Sequence, residues 1–181
     1  MDLENKVAFV TGAGVRIGQA VAVKLGQLGM RVVIHYHHSE EGAKQTMQRL
    51  PGKKSRHLTL KADLKDVSAI KELVHKAEKQ VGPVSVLVNN AAEFFPTPLF
   101  SVAEKEWDHL LALNLKAPFF LSQAIGENMK SSGEGKIINM VDVSTERPWK
   151  SFLPYCASKA ALISLTKGLA RVLSPKYRLT E

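Results

Sequence analysis

The chain has 181 residues, of which 45% are hydrophobic and 23% charged, and it carries a formal net charge of +8. This length favours one domain over residues 1–181, and the composition is typical of a compact globular protein and not of a disordered one. The short apolar runs, the polar amino terminus without a signal-peptide pattern and the single Cys156 indicate a cytoplasmic protein with no membrane span and no intramolecular disulfide.

Short apolar, β-branched runs alternate with amphipathic helical patterns along the chain. Near-continuous apolar runs are typical of parallel strands that are covered by helices on both faces. The alternation predicts an α/β fold, a Rossmann-type doubly wound parallel sheet, with its ligand site at the carboxyl ends of the strands. The predicted strands are 6–11, 31–36, 57–62, 84–88 and 136–141, and the predicted helices are 17–28, 40–50, 67–80, 104–129 in one or two pieces, and 155–173.

A glycine-rich segment, TGAGVRIG at residues 11–18, follows the first predicted strand and opens the first predicted helix. Small residues at this place let backbone amides approach a pyrophosphate at a helix amino terminus. The spacing departs by one residue from the GxGxxG fingerprint, and glycines also serve ordinary tight turns. The strand-turn-helix context nevertheless favours a dinucleotide site.

No acidic residue follows the second predicted strand, where an NAD-specific site usually places one on the ribose hydroxyls. The segment there is HYHHS at residues 35–39, and its imidazoles and hydroxyl, with the Arg16 guanidinium, are donors suited to a 2′-phosphate. This pattern favours NADPH as the cofactor. A zinc site is the weaker interpretation, because His35 and His37 alternate with Tyr36 and have no local thiol or carboxylate partner, so we expect no metal.

Tyr155 and Lys159 are four residues apart in the last predicted helix and therefore share one of its faces. A nearby ammonium stabilises phenolate, so Lys159 should lower the pKa of Tyr155 and suit it to proton transfer during reduction of a carbonyl or imine. An ordinary helical tyrosine with an exposed lysine is the alternative. The nucleotide turn upstream favours the catalytic interpretation.

These motifs, in this order, resemble the short-chain dehydrogenase/reductase family from residue 6 to about residue 178. The resemblance rests on the glycine-rich turn, on Asp63-Leu64 after the third strand, on Asn89-Asn90-Ala91 after the fourth, on Asn114 and on the YxxxK pair. It implies that Tyr155 is the proton donor, that Lys159 binds the nicotinamide ribose and that Asn114 holds a water in the proton relay. With the donors at residues 35–39, the implied cofactor site comprises Gly12, Arg16, Ile17, Gly18, His35, Tyr36, His37, His38, Ser39, Asp63, Leu64, Asn90, Ala91, Ala92, Met140, Tyr155 and Lys159.

Two departures from the general family pattern resemble the pteridine reductases, the NADPH-dependent branch that reduces pterins. Arg16 replaces the middle glycine of the turn, and Asp142 stands thirteen residues before Tyr155, where most members carry a serine. The segments HYHHS, NNAAEFFPTPL and IINMVDV are also similar to that branch. The resemblance implies a pterin site in which Asp142 acts with Tyr155, Phe94 stacks on the heterocycle and Arg16 lies near its polar edge. Loop packing by Phe94 and a strand-end cap by Asp142 are the alternatives.

Other positions differ from that branch. His38 stands where an arginine commonly binds the 2′-phosphate, and Ala92 stands where a serine often contacts the cofactor or the pterin. Ser144 lies near Asp142 but is two residues too close to Tyr155 to be the family serine, so we assign the substrate contact to Asp142.

The family fold continues past the Tyr-Lys helix through a sixth strand, a loop at the nicotinamide, a substrate lid and a seventh strand. The resemblance therefore implies a fold truncated after the fifth strand and its helix, with a sixth strand starting at residues 178–181. The outer edge of the strand at 136–141 should then be unpaired. Because an unpaired apolar edge is a template for intermolecular pairing, we expect residues 1–181 alone to aggregate or oligomerise and to have little reductase activity.

The sequence thus predicts an NADPH-dependent, pteridine reductase-like oxidoreductase whose substrate is a dihydropterin or dihydrofolate. Alternatives are a carbonyl reductase of the same family and a truncated, non-catalytic NADP-binding fragment. The interpretation as a nucleic-acid-binding protein is supported by the positive charge alone, because no recognition-helix pattern is present. By resemblance, the full-length form is a homo-oligomer, a tetramer.

Overall fold

The computed structural model describes residues 1–174 of the chain. Its five strands form one parallel sheet in the order β3-β2-β1-β4-β5, with helices on both faces, which confirms the predicted α/β class. The strands are β1 (Val7–Val10), β2 (Arg31–Tyr36), β3 (Leu58–Lys61), β4 (Val84–Asn89) and β5 (Lys136–Asn139). The helices are α1 (Arg16–Gln27), α2 (Glu40–Arg49), α3 (Val67–Val81), α4 (Glu104–Leu111), α5 (Ala117–Ser132) and α6 (Leu153–Leu173).

The central strand β1 is buried on both faces. Val7 and Phe9 belong to an apolar layer under α3 and α5, whereas Ala8 and Val10 belong to a second layer under α1 and α2. Side chains alternate between the faces of a strand, so a strand that is covered twice has to be apolar at every position. This explains the unbroken apolar runs in the sequence.

The direction of strand order reverses at β1, which pairs with β2 on one side and with β4 on the other. The loops that follow β1 and β4 therefore leave the sheet in different directions and open a crevice between them. This crevice is where the polar motifs of the sequence converge.

The predicted helix over 104–129 forms as two helices joined by a π-helical turn, Ala112–Lys116. The last helix begins at Leu153, two residues before the predicted start, because Pro154 is well tolerated in a first helical turn. A short 3₁₀ turn, Val143–Thr145, follows β5.

Within residues 1–174, β5 pairs with β4 alone, and its Ile138 side chain is 47% exposed. Residues 178–181, where the sequence predicts the start of a sixth strand, lie outside the described residues. No helix in the described part of the chain is both long enough and apolar enough to cross a membrane.

Candidate active site

The turn after β1 is joined to the end of β4 by hydrogen bonds. The Thr11 hydroxyl accepts from the backbone N–H groups of Asn90 and Ala91, each at 2.9 Å. The Asn90 side-chain amide donates to the carbonyls of Thr11, at 2.8 Å, and Gly12, at 3.3 Å. The side chain of Asn90 therefore holds the turn in place, in addition to lining the crevice.

Backbone conformation and close approach explain the residue types in this turn. Gly12 has a φ of +62°, in the left-handed region that favours glycine. A Cβ atom on Gly18 would collide with the carbonyl oxygen of Gly12 and lie 2.5 Å from the Asn90 amide nitrogen. Arg16 also has a positive φ of 50°, which costs a residue with a side chain about 1–3 kcal/mol. The glycine that the family usually has at this place fits that conformation.

A cleft of about 390 Å³ runs along the carboxyl ends of β1 to β4, beside the amino terminus of α1. Tyr36 and Met140, two predicted cofactor residues, do not line it and pack against the apolar layer under α1 and α2. Tyr155 and Lys159 also lie outside its lining. The other predicted cofactor residues do line it: Gly12, Arg16, Ile17, Gly18, His35, His37, His38, Ser39, Asp63, Leu64, Asn90, Ala91 and Ala92. Val15, Lys65, Glu93 and Leu113 complete the lining and were not predicted.

Basic groups gather at the end of the cleft near β2 and β3. The ring centroids of His37 and His38 lie 3.7 Å apart, and Lys65 Nζ lies 3.5 Å from an oxygen of the Asp63 carboxylate. Burial lowers the pKa of His37, and the charges of His38, Lys65 and Lys61 lower it further against the opposing effect of Asp63. Lys65 thus adds a cationic donor to those predicted from the sequence.

The structure corrects the role predicted for His35. Its side chain is 2% exposed, and both ring nitrogens are bonded to backbone groups. Nδ1 accepts from the Gly12 N–H at 3.3 Å, and Nε2 lies 3.1 Å from the Ala62 carbonyl oxygen. Burial lowers the pKa of His35 to about 4, so the ring is neutral at physiological pH. His35 therefore offers no free donor or positive charge to a phosphate.

The buried His35 makes the fold sensitive to acid. Its pKa falls from 6.5 in the unfolded chain to about 4 in the folded one, so the unfolded chain binds the proton more readily between these values. The stabilisation is complete above pH 6.5 and is lost as the pH falls toward 4. Because one pKa unit corresponds to 1.36 kcal/mol, we expect His35 to lower the free energy of unfolding by about 2 kcal/mol between pH 7 and pH 5.

Urea unfolding at these two pH values measures this loss, and His35→Asn, which does not titrate here, isolates it. The variant should lose about 2 kcal/mol less than the wild type between pH 7 and pH 5. Equal losses in the two proteins would contradict the prediction.

Asp142, Tyr155 and Lys159 come together where β5 ends and α6 begins. One Asp142 carboxylate oxygen caps the 3₁₀ turn by accepting from the Ser144 N–H at 2.8 Å, and the other accepts a hydrogen bond from the Tyr155 hydroxyl. Lys159 Nζ donates to the Met140 carbonyl at 2.8 Å and lies 5.8 Å from the centroid of the Tyr155 ring. Asp142, and not Ser144, therefore meets the tyrosine hydroxyl, while it also serves as the cap of the turn.

The direction of the Tyr155 pKa shift differs from the sequence-based expectation. Burial and the Asp142 carboxylate raise the pKa of Tyr155, whereas a neighbouring ammonium was expected to lower it. The physical reason is that Lys159 bonds to a carbonyl and not to the tyrosine hydroxyl. Burial raises the pKa of the Asp142 carboxyl, but the donors of Ser144 and Tyr155 and the charge of Lys159 outweigh that effect and lower it. At neutral pH the pair is a protonated tyrosine and an ionised carboxylate.

Asn114 is buried within the π-helical turn. Its side-chain oxygen accepts from the Glu93 N–H at 3.0 Å, and its amide nitrogen donates to the Glu93 carbonyl at 3.0 Å. This amide therefore fixes the loop after β4. The water-holding role that the family resemblance implies for Asn114 stays a prediction.

Aromatic side chains pack against the Tyr155 ring. Phe94 is 52% exposed, stacks on Phe152 at 4.3 Å between centroids and meets the Tyr155 ring edge-on at 4.9 Å. Trp149 packs edge-on against Phe94 at 5.6 Å. Phe152 and Trp149 were not predicted, because the loop that carries them has no periodic pattern. Phe94 both packs in the loop and leaves half of its surface open beside Tyr155.

The described residues contain no group of three or more His, Cys, Asp or Glu side chains that could hold a metal ion.

Comparisons with known proteins agree with this geometry. Residues 6–177 match the model of the short chain dehydrogenase family. The chain is 35% identical to gluconate 5-dehydrogenase of Gluconobacter oxydans over 190 residues, covering 99% of the chain and 73% of the relative. It is 34% identical to 2-dehydro-3-deoxy-D-gluconate 5-dehydrogenase of Dickeya dadantii over 170 residues, covering 93% of the chain and 66% of the relative.

A solved structure of a metagenomic short-chain oxidoreductase in complex with NADP superposes with a TM-score of 0.88 at 34% identity, over 96% of this chain and 78% of that one. The two named relatives are sugar-acid dehydrogenases, so they support the family and do not single out the pteridine reductase branch. The chain therefore belongs to the short-chain dehydrogenase family.

Proposed function

We propose that the protein is an NADPH-dependent reductase of a flat, pterin-type heterocycle. The observation that carries this proposal is the ionised Asp142 carboxylate beside the protonated Tyr155 hydroxyl. A simple ketone presents only an acceptor oxygen, which a carboxylate repels. A pterin presents N–H donors next to ring-nitrogen acceptors, so it can donate to Asp142 and accept from Tyr155 together.

The cleft suits NADPH. Gly12 and Gly18 leave no room for side chains where a pyrophosphate approaches the amino terminus of α1. His38, Ser39, Lys65 and the exposed Arg16 offer donors for a 2′-phosphate, and no carboxylate directly follows β2 to prefer a ribose hydroxyl. When bound, NADPH supplies the hydride for the reduction.

The chain's own residues supply and orient the proton. Tyr155 donates from its hydroxyl, since its raised pKa keeps it protonated at neutral pH. In the free protein the single hydroxyl hydrogen of Tyr155 points to Asp142; on substrate binding it turns to the ring-nitrogen acceptor, and the Asp142 oxygen that it leaves accepts an N–H of the substrate. Lys159, fixed on the Met140 carbonyl, lies 5.8 Å from the centroid of the Tyr155 ring, and its positive charge helps to keep Asp142 ionised by lowering the pKa of that carboxyl. The exposed side of Phe94 can stack on a planar ring.

A carbonyl reductase is the second candidate, because the two named relatives are dehydrogenases of sugar acids. In that case Asp142 would act only as the cap of its 3₁₀ turn. The tetramer and the cytoplasmic location stay predictions from the family resemblance.

Purified protein assayed for NADPH oxidation distinguishes the two candidates. We expect turnover with a dihydropterin and not with a 5-keto sugar acid or a β-ketoester, and turnover at least about tenfold lower with NADH. Because Asp142 receives the substrate donor, Asp142→Ser should lower pterin kcat/KM about a hundredfold. Asp108→Ser, on α4 and outside the cleft, is the matched control and should not change it. Turnover of a keto acid with no pterin activity would overturn the proposal.

A further inference from the structure

The nucleotide turn is fixed from both sides. On the β4 side, Asn90 bonds to the carbonyls of Thr11 and Gly12. On the β2 side, residue 35 binds two consecutive N–H groups of the turn, Gly12 through its ring and Ala13 through its backbone carbonyl at 2.9 Å. The direction of the Gly12 N–H therefore depends on the imidazole of His35.

The tautomer of His35 follows from its partners. A backbone N–H only donates, so Nδ1 has to be the acceptor for Gly12, and a carbonyl only accepts, so Nε2 has to carry the hydrogen toward Ala62. Phe9 of β1 stacks on the ring at 6.5 Å between centroids and holds its plane. The ring thus joins the turn after β1 to the residue that follows β3.

We propose that His35 is a positioning residue of the cofactor site: its Nδ1 fixes the Gly12 N–H and, with it, the turn conformation that receives the dinucleotide phosphates. This inference rests on the proposed NADPH site. Gly12 has a positive φ and little intrinsic preference for one conformation, so the turn needs a fixed partner to hold it. The His35 ring is 2% exposed and both of its nitrogens are bonded to backbone groups, so it acts on the cofactor site through the turn.

A second buried histidine, His57, which directly precedes β3, provides an internal comparison. His57 is 7% exposed, its Nδ1 accepts from the Val32 N–H at 3.2 Å, and its Nε2 lies 3.1 Å from the Pro51 carbonyl oxygen. It therefore uses the same hydrogen-bonding pattern as His35. Val32 is at the start of β2, however, away from the carboxyl ends that form the cleft. A loss of binding that occurs only at His35 cannot be a general effect of removing a buried imidazole.

Two substitutions separate the two hydrogen bonds of His35. His35→Asn places an acceptor oxygen where Nδ1 lies and loses the contact with Ala62. His35→Gln places an amide N–H where Nε2 lies and loses the acceptor for Gly12. If cofactor binding requires the Gly12 N–H to be fixed, the loss of its acceptor should weaken the binding constant about tenfold or more. We expect His35→Gln to weaken NADP⁺ binding about tenfold and His35→Asn to weaken it less than about threefold.

Titration calorimetry with NADP⁺ and NAD⁺ and amide hydrogen exchange of the free protein test the proposal together. The loss in His35→Gln should be equal for both dinucleotides, because they share the pyrophosphate. The Gly12 amide should exchange faster in His35→Gln than in His35→Asn. His57→Asn and His57→Gln should lower the melting temperature and leave both dissociation constants unchanged.

The outcomes are distinct. Equal affinities and equal Gly12 exchange in the two His35 variants would overturn the positioning role, and so would the same loss of binding in His57→Gln. If the wild type bound neither dinucleotide, the proposed cofactor site and this inference would both be wrong. If the wild type bound both but did not reduce a pterin, the inference would stand and the substrate proposal would fail.

Discussion

Tyr155→Phe is expected to reduce turnover about a thousandfold, because it removes the only proposed proton donor and general acid catalysis contributes roughly 10²–10⁴. The phenyl ring fills the same space, so the contacts with Phe94 and Trp149 persist. Affinity for NADP⁺ should change little, since the hydroxyl bonds to Asp142 and lies outside the lining of the cleft.

Single-turnover kinetics with NADPH and a saturating substrate measure this effect. Calorimetry with NADP⁺ and the thermal unfolding midpoint show whether the fold and the cofactor site are intact. A variant that kept more than about a tenth of the wild-type rate would exclude Tyr155 as the proton donor, because a general acid is worth more than that.

Gly18→Ala should strongly weaken cofactor binding, although it adds only one methyl group to the turn. The new methyl group collides with the Gly12 carbonyl and approaches the Asn90 amide to 2.5 Å, so the turn has to move. Overpacking of this kind costs about 1–3 kcal/mol, which corresponds to a roughly 5- to 150-fold loss of NADP⁺ affinity if binding has to restore the displaced turn.

Gly168→Ala is the matched control for this substitution. Gly168 lies within α6, and a Cβ atom there meets nothing within 4 Å. Alanine in an open helical position should raise the free energy of unfolding by about 0.5–1 kcal/mol. Chemical denaturation should therefore show a lower free energy of unfolding for Gly18→Ala and a higher one for Gly168→Ala. Titration with NADP⁺ should show a loss of binding only in Gly18→Ala. Unchanged NADP⁺ affinity in Gly18→Ala would contradict the assignment of this turn.

Local patterns in the sequence were sufficient to predict the fold. The apolar runs at β1 and β2 specify strands buried on both faces, and the Tyr155-Lys159 spacing specifies one face of α6. The glycine turn was also predictable, because its residue types follow from backbone conformation. Each of these features depends on residues close together in the chain.

The features that the sequence did not predict depend on contacts between distant segments. His35 looked like a phosphate ligand because its neighbours His37 and His38 are polar, but the turn and Ala62 enclose its ring. The Tyr155 pKa is raised by burial and by the carboxylate of Asp142, thirteen residues away, while Lys159 bonds to the Met140 carbonyl at the end of β5. The position of Lys65 in the cleft could have been inferred from the sequence, since Lys65 follows the predicted site residues Asp63 and Leu64 in the same loop.

The π-helical turn between α4 and α5 gives this site an unusual dependence on chain length. The Ala117 N–H bonds to the Ala112 carbonyl, five residues back, so the turn contains one residue more than an α-helical turn. Removing one residue from 112–116 would restore a regular helix and, at 3.6 residues per turn, rotate α5 by about 100° relative to α4. The orientation of α5 relative to α4 therefore depends on the exact number of residues in this turn. A one-residue gap here in an alignment of relatives predicts loss of the Asn114–Glu93 contact even where the asparagine itself is kept.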